Sequence, residues 1–203
     1  AGVDCVTLGD HVWRRKDLRR VLRVGEGIVR PGNLPAEAVG SGVTVLESDS
    51  APPLAVINLV GRVFMRPAEC PFATADRLID EIDGRATATV VEIHAEATSE
   101  KQALSWALDG RVSAVVGSHT HVQTADERIL PGGTAALTDM GMTGPFESVL
   151  GRRVEPVLQH MRTSMFVPFL VAKSDPRLQG TVIRIDPETG RALSIERIDR
   201  SPD

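Results

Sequence analysis

The sequence predicts an α/β fold, in which helices pack on a β-sheet within a single domain spanning residues 1–203. Short β-branched runs alternate along the chain with segments of helical periodicity, a pattern typical of this class. Two of the runs, 88–93 and 112–116, are almost continuously apolar, as expected for strands buried on both faces. The length of 203 residues favours one domain over two.

The elements follow in order along the chain. A strand is predicted at 3–8, then a short basic helix at 17–24 and a loop rich in Gly and Pro at 25–42. Further strands are predicted at 43–46, 54–59, 88–93, 112–116, 135–138 and 166–172. Further helices are predicted at 74–82, 99–109 and 154–165. The last strands, 181–185 and 192–198, should form a hairpin.

Local signals define where one of these helices starts and stops. Ser99 and Gln102 have the spacing of a capping box, in which each side chain satisfies a free backbone N–H of the first turn. Gly110 then ends the apolar periodicity. We therefore expect the helix to begin at Ser99.

Composition and charge exclude several classes of protein. With 42% hydrophobic and 25% charged residues, the chain has the composition of a folded globular protein and not of a disordered one or a coiled coil. No apolar run is long enough for a membrane span, so no membrane partner is expected. A net charge of −4 and an aromatic content of 3% argue against an extended nucleic-acid partner, whereas a small anionic substrate stays open. Two cysteines without metal spacing suit a reducing compartment, which predicts a cytoplasmic protein.

Four of the five histidines come directly after a predicted strand: His11, His94, His119 and His121. Because the carboxyl ends of strands meet at one edge of an α/β sheet, we expect these side chains to converge. His119 and His121 are two residues apart in a segment expected to be extended, so they should face the same side. A single histidine here is more often a hydrogen-bonded structural residue. Four of them, with Asp10 beside one, indicate a site for Mn, Fe or Zn.

Six motifs resemble the YmdB-type branch of the calcineurin-like metallophosphoesterases. They occupy 6–13, 57–62, 94–101, 109–114, 117–126 and 138–144, so the likeness covers essentially the whole chain. The resemblance implies a metallophosphoesterase-like β-sandwich flanked by helices, in α-β-β-α layers. It also implies a dinuclear centre with two divalent ions, drawn from Mn, Fe, Mg or Zn, and phosphodiesterase activity on cyclic nucleotides, 2',3'-cyclic nucleotides among them.

The resemblance assigns roles to two adjacent residues. The segment 9–11 matches a Gly-Asn-His motif of the family, which implies that Asp10 is a metal ligand in the place of Asn and that His11 is the catalytic histidine. A carboxylate in place of a neutral amide should make the bound metal slightly less Lewis acidic.

The other histidines match metal ligands of the family. His94 and His119 correspond to ligands of the same ion as Asp10, and His121 corresponds to a ligand of the other ion. The family begins with a strand ending in a metal-binding Asp and a later strand ending in Glu-Asn, and neither motif precedes Ala1. We therefore expect a domain without the family's first strands and helices, and little or no activity from the 203 residues alone.

Three residues are candidates for substrate binding. Arg62 follows a strand and can either hold a phosphate bidentately or pair with a surface carboxylate. Thr143 and Gly144 can present backbone N–H groups to a substrate or simply form a tight turn.

Two acidic residues close to His94 in the sequence have two interpretations. Glu96 and Glu100 either orient imidazoles or are favoured as acids at a helix N-terminus.

The sequence thus predicts a metal-dependent phosphodiesterase that hydrolyses cyclic nucleotides with a metal-activated water. Two alternatives stay open: a nucleotide phosphomonoesterase, and a regulatory protein that binds a phosphate ligand without turnover. The basic residues at 14–20 either form a solvated helix face or help to attract a phosphate. Association of copies of the chain into a homo-oligomer is also left open.

Overall fold

The computed structural model describes residues 2–25 and 27–202, and within them the chain forms strands and helices in alternation. The strands are β1 (Val6–Thr7), β2 (Ile28–Val29), β3 (Val43–Ser48), β4 (Ala51–Val60), β5 (Ala88–His94), β6 (Ala114–Ser118), β7 (Arg128–Ile129), β8 (Ala135–Leu137), β9 (Gly144–Pro145), β10 (Pro176–Ile185) and β11 (Ala192–Arg200). The helices are α1 (Leu18–Val24), α2 (Pro71–Glu81), α3 (Thr98–Ala107) and α4 (Val154–Thr163).

A mixed sheet of six strands forms the centre of the fold, in the order β3-β4-β5-β6-β8-β7. The four inner strands run parallel, and β3 and β7 pair antiparallel at the two edges. Two smaller sheets accompany it, one of β11-β10-β9 and one in which β1 pairs parallel with β2. Because the inner strands are parallel, their carboxyl ends all open at one edge of the sheet.

The two faces of the central sheet are covered differently. Leu78 of α2 and Leu104 of α3 pack with Ile57 and Ile93 in one buried cluster, so these helices cover one face. On the other face Ala114 and Ala135 pack against Ala192, and the hairpin of β10 and β11 forms the second layer of a sandwich. The predicted α/β fold with helices on a β-sandwich is therefore confirmed.

The start of α3 differs from the prediction. The helix begins at Thr98 with Ala97 as its N-cap residue, and no side chain caps it. Ser99 is therefore already inside the first turn and does not hold the N-cap position that a capping box requires. The capping-box assignment of Ser99 and Gln102 is wrong, because the extended backbone at Ala97 starts the helix earlier.

Two further predictions about strands are corrected. The segment 166–172 is not a strand: it makes one isolated bridge, between Arg152 and Val171, and Phe166 is 90% exposed. β-branched and aromatic residues favour a strand only where a neighbouring edge can pair with it. Conversely, the predicted loop at 25–42 contains β2, whose two residues are too few to give a periodic signal.

No helix in 2–25 or 27–202 is long and apolar enough to cross a membrane.

Candidate metal centre

Parallel strands bring the candidate site residues to one edge of the central sheet. His94 is the last residue of β5, and His119 follows the last residue of β6. The N–H of Gly61, just after β4, donates to the carbonyl of His94 at 3.0 Å. The loop after β1 reaches the same edge and carries Asp10. The predicted convergence of these residues follows from the topology of the sheet.

Asp10, His94 and His119 form one compact group. The Nε2 atom of His94 lies 3.2 Å from Oδ1 of Asp10 and 3.1 Å from Nδ1 of His119. The two imidazole rings meet edge to face, with centroids 4.8 Å apart. One ligand atom from each residue lies within 4.8 Å of the other two, and all three residues are half-buried. Such a group can hold a metal ion.

A buried hydrogen-bond chain fixes the orientation of His94. The Oγ atom of Ser118 lies 2.8 Å from Nδ1 of His94, and the Ser118 hydroxyl donates to the Glu92 carboxyl group. If Nδ1 carries the proton that Ser118 accepts, the lone pair of Nε2 faces Asp10 and His119. Such partners hold a histidine in the tautomer that can bind a metal.

Glu92 is buried in the middle of β5 and has an altered acidity. Burial raises the pKa of its carboxyl group to about 8, although the hydrogen bond from Ser118 opposes that rise. Neither Glu92 nor Ser118 was identified from the sequence. The signal that could have identified Glu92 is a single acid within the apolar run of β5.

His119 is oriented by a carboxylate. Its Nε2 atom lies 3.1 Å from Oε2 of Glu96, so an N–H at Nε2 leaves Nδ1 free on the side of His94. Glu96 is therefore an imidazole partner, as one of the two interpretations of the sequence proposed. Glu100 is not: its carboxylate accepts the backbone N–H groups of Arg62 and Val63 at 3.0 to 3.2 Å.

The surroundings favour an uncharged His94. Burial lowers the pKa of the His94 imidazole, and the nearby His119 lowers it further, while Asp10 opposes both effects. A neutral imidazole is the form that binds a metal. The loop before Asp10 also approaches closely, because a Cβ atom at Gly9 would overlap three atoms of the His94 ring. Only glycine fits at this position without displacing the ring.

His11 lies beside the group without joining it. Its Nδ1 atom is 3.4 Å from Oδ2 of Asp10, and its side chain is 52% exposed. The imidazole is thus held near the candidate ligands and remains accessible to a substrate.

His121 does not join the group, and the expected geometry of its segment is wrong. His119 and His121 both have positive φ, 103° and 62°, so the chain turns sharply after β6 instead of continuing extended. The extended geometry on which the expectation for the two imidazoles rested is therefore absent. His121 is exposed, and it is absent from the group of Asp10, His94 and His119.

The candidate substrate residues lie in two different settings. Arg62 is exposed at the edge where β4 ends. Its Nη2 atom lies 3.6 Å from Sγ of Cys70. Within residues 2–25 and 27–202, Arg62 pairs with no carboxylate. Gly144 lies in β9, which pairs with β10 at Arg177. The Thr143 hydroxyl is 3.4 Å from the carbonyl of Gln179.

A comparison with known proteins identifies the family. A family model described as YmdB-like protein matches residues 1–198. The chain belongs to the YmdB-like family. This membership confirms the resemblance on which the site assignments of the sequence were based.

Similar proteins are known within and around the YmdB-like family. The chain is 48% identical over 198 residues to the 2',3'-cyclic-nucleotide 2'-phosphodiesterase of Bacillus subtilis (strain 168), covering 98% of this chain and 75% of the relative. A crystal structure of a protein from Thermus thermophilus superposes with a TM-score of 0.92 at 41% identity, covering 100% of this chain and 78% of that one. A novel phosphatase from Mycoplasma pneumoniae superposes with a TM-score of 0.89 at 34% identity, covering 98% and 73%.

These likenesses carry two conclusions about this YmdB-like chain. Its fold is metallophosphoesterase-like, since the solved structures that superpose on it include a phosphatase. It is an enzyme of the hydrolase class that acts on phosphate esters, as the sequence predicted.

Proposed function

We propose that the chain is a metal-dependent phosphodiesterase that hydrolyses cyclic nucleotides, with 2',3'-cyclic nucleotides as its substrates. The convergence of Asp10, His94 and His119 at one edge of the sheet carries this proposal. The name of the Bacillus subtilis relative supports the choice of substrate. The two free cysteines, Cys5 and Cys70, support a location in the reducing cytoplasm.

The residues present fit a divalent metal ion. Two imidazole nitrogens and a carboxylate oxygen lie within 4.8 Å of one another, and the opposite nitrogen of each imidazole already has a hydrogen-bond partner. This arrangement leaves the facing nitrogens of His94 and His119 available as ligands. A set of two nitrogens and one oxygen suits Mn, Fe or Zn better than Mg, which prefers oxygen. Asp10, His94 and His119 would hold the ion.

When bound, such an ion supplies Lewis acidity, which polarises a phosphoryl oxygen and makes water a better nucleophile at neutral pH. The protein's own residues supply the rest. His11, exposed beside Asp10, donates a proton to the departing ribose oxygen, because an alkoxide is a poor leaving group. Arg62, exposed at the same edge, binds a phosphoryl oxygen through its guanidinium group. Glu96 and Ser118 keep the two imidazoles in their metal-binding tautomers.

A second ion is part of the proposal. His121 is its candidate ligand, and it belongs to no group of three potential ligands among the residues that the structure describes. A second ion at His121 therefore needs donors beyond those gathered around Asp10.

For Thr143 and Gly144 we propose backbone contacts to the substrate.

Assays on the protein loaded with Mn test the proposed function. In a protein that holds both ions we expect hydrolysis of 2',3'-cyclic AMP, and we expect His94→Asn to lose the activity and the ion bound at Asp10 and His119. His160→Asn is the matched control, because His160 lies on α4 and its Nδ1 contacts only the carbonyl of Met165 among the described residues. Hydrolysis of nucleotide monoesters alone would show a phosphomonoesterase, and binding without turnover would show a regulatory protein. Full activity in His94→Asn would contradict the metal site.

A further inference from the structure

A strongly basic surface adjoins the candidate metal centre. Six of the 23 basic residues of the chain lie between His11 and Gly25, together with one acidic residue, Asp17. We call these six the basic segment: Arg14, Arg15, Lys16, Arg19, Arg20 and Arg23. All of their side chains are exposed. This surface is positive although the chain as a whole has a net charge of −4.

The fold holds the basic segment in a fixed place. Leu18 and Leu22, four residues apart on α1, pack with Val12 and Trp13 in a small buried cluster. Residues four apart lie on one face of a helix, so the arginines of α1 are directed away from that cluster. The three arginines of α1 therefore stand on a packed helix, and the other three cations lie in the turns between Trp13 and that helix.

Among the described residues, no carboxylate forms an ion pair with a cation of the basic segment. Within residues 2–25 and 27–202, none of the six makes an ion pair, whereas Arg111 pairs with Asp76, Arg177 with Asp175 and Arg197 with Glu127. Like charges at a spacing of four residues on a helix repel each other. A ligand with several negative charges would remove that repulsion, and a ligand with one would not.

The basic segment begins where the candidate site ends. Asp10 contacts His94, and the N–H of Arg14 donates to the carbonyl of His11 at 3.0 Å. Tight turns thus lead from a candidate metal ligand to the first arginine within four residues. Because so short a segment separates them, we expect a chain of phosphates that starts at the metal centre to reach the basic segment.

We infer that the basic segment binds the phosphate backbone of a short oligoribonucleotide whose 3' end carries the 2',3'-cyclic phosphate that the site hydrolyses. This inference rests on the proposed function. A cyclic mononucleotide has one phosphate, which occupies the metal centre and leaves the six cations without a partner. An oligoribonucleotide adds one phosphate for each further nucleotide. Since α1 has seven residues and is about 10 Å long, it can contact a few phosphates but not an extended duplex.

The reaction on such an end is a simple hydrolysis. The oxygen of water bonds to phosphorus, one of the two ribose oxygens leaves, and that oxygen takes a proton. The product is a phosphate monoester at the end of the oligonucleotide, and no oxidant or further reactant is consumed.

A double variant with a charge-matched control tests the inference. Arg19→Gln/Arg20→Gln removes two cations of the basic segment, and Arg85→Gln/Arg184→Gln removes two exposed cations elsewhere. Turnover is measured on 2',3'-cyclic AMP and on a tetraribonucleotide that ends in a 2',3'-cyclic phosphate. We expect kcat/KM for the tetranucleotide to fall about tenfold in the first variant only, with the mononucleotide unaffected. The salt dependence on the tetranucleotide should become shallower by about 0.7 for each lost contact.

The outcomes separate this inference from the proposed function. If the unaltered protein hydrolyses both substrates with equal kcat/KM and with equal salt dependence, the inference is overturned and the proposed function stays intact. If no variant hydrolyses either substrate, fluorescence anisotropy of the labelled tetranucleotide in EDTA decides, because this binding needs no metal. Weaker binding in Arg19→Gln/Arg20→Gln alone supports the inference. Unchanged binding overturns it, as does a loss of binding to phosphatidylserine vesicles with no effect on RNA.

Discussion

Lys101 Nζ lies 2.9 Å from Asp139 Oδ2, and both side chains are almost completely buried. The same oxygen of Asp139 accepts hydrogen bonds from the N–H and the hydroxyl of Thr120, and Oδ1 accepts one from the N–H of Gly141. The pair thereby joins α3 to the turn that carries His119. It fixes the backbone from which His119 reaches the candidate metal site.

Removal of the cation should therefore cost much stability. Lys101→Met leaves the Asp139 carboxylate buried without a counter-charge, and we expect a loss of about 3 to 5 kcal/mol in the free energy of unfolding, measured in urea. Lys173→Met, at an exposed position, should change it by less than about 0.5 kcal/mol. A second change, Asp139→Asn, should restore part of the loss. A cost of Lys101→Met below about 1 kcal/mol would contradict the role of the pair.

Metal affinity should depend on Glu96. Glu96→Ala removes the carboxylate that orients His119, and such partners typically contribute a factor of about 10 to 100 in affinity. Because Glu96 is half exposed, we expect a value near tenfold for Mn, measured by isothermal titration calorimetry. The control is Glu188→Ala in the hairpin turn. Equal affinities for both variants would show that Glu96 does not orient the ligand.

The 203 residues should bind one ion with measurable affinity, because only Asp10, His94 and His119 form a ligand group among the described residues. One imidazole cannot hold a divalent ion against water. His121→Asn should therefore leave the content of bound ion unchanged in metal analysis, whereas His119→Asn should abolish it. Two tightly held ions per chain would contradict the count.

His11 should matter for the leaving group and not for the metal. In a protein active on 2',3'-cyclic AMP, His11→Ala should reduce turnover of that substrate by a factor of about 100 or more. An activated aryl phosphodiester leaves without a proton, so its turnover should fall far less. The content of bound ion should stay normal, since His11 lies outside the ligand group. Equal losses on both substrates, or loss of the ion, would refute proton donation.

The two cysteines should differ in reactivity. The backbone N–H of Ala73 at the start of α2 lowers the pKa of the Cys70 thiol, whereas burial raises the pKa of the Cys5 thiol. As the pH rises from about 6, the thiolate of Cys70 should form first, so iodoacetamide should modify Cys70 before Cys5. Mass spectrometry after timed alkylation measures the order. Faster modification of Cys5 would show that the helix start does not stabilise the thiolate.

The sequence predicts those parts of the site that depend on strand order. The convergence of His94 and His119 follows from two buried parallel strands, and each strand is evident from its apolar run. The positive φ of His119 and His121 was not predicted. Thr120, which lies between them, donates its N–H to Asp139, and that contact is distant in sequence. The role of Lys101 was missed for the same reason. A lysine on a helix is usually exposed, and only the fold buries this one.

The hairpin of β10 and β11 has a consequence for how the protein is made. Ala114 and Ala135 are covered by Ala192, which the ribosome adds more than fifty residues later. Until the hairpin docks, one apolar face of the central sheet stays open on the nascent chain, and such surfaces promote aggregation. The candidate ligands, in contrast, all precede residue 122. Synthesis therefore delivers every ligand of the site well before the last layer that shields the sheet beneath it.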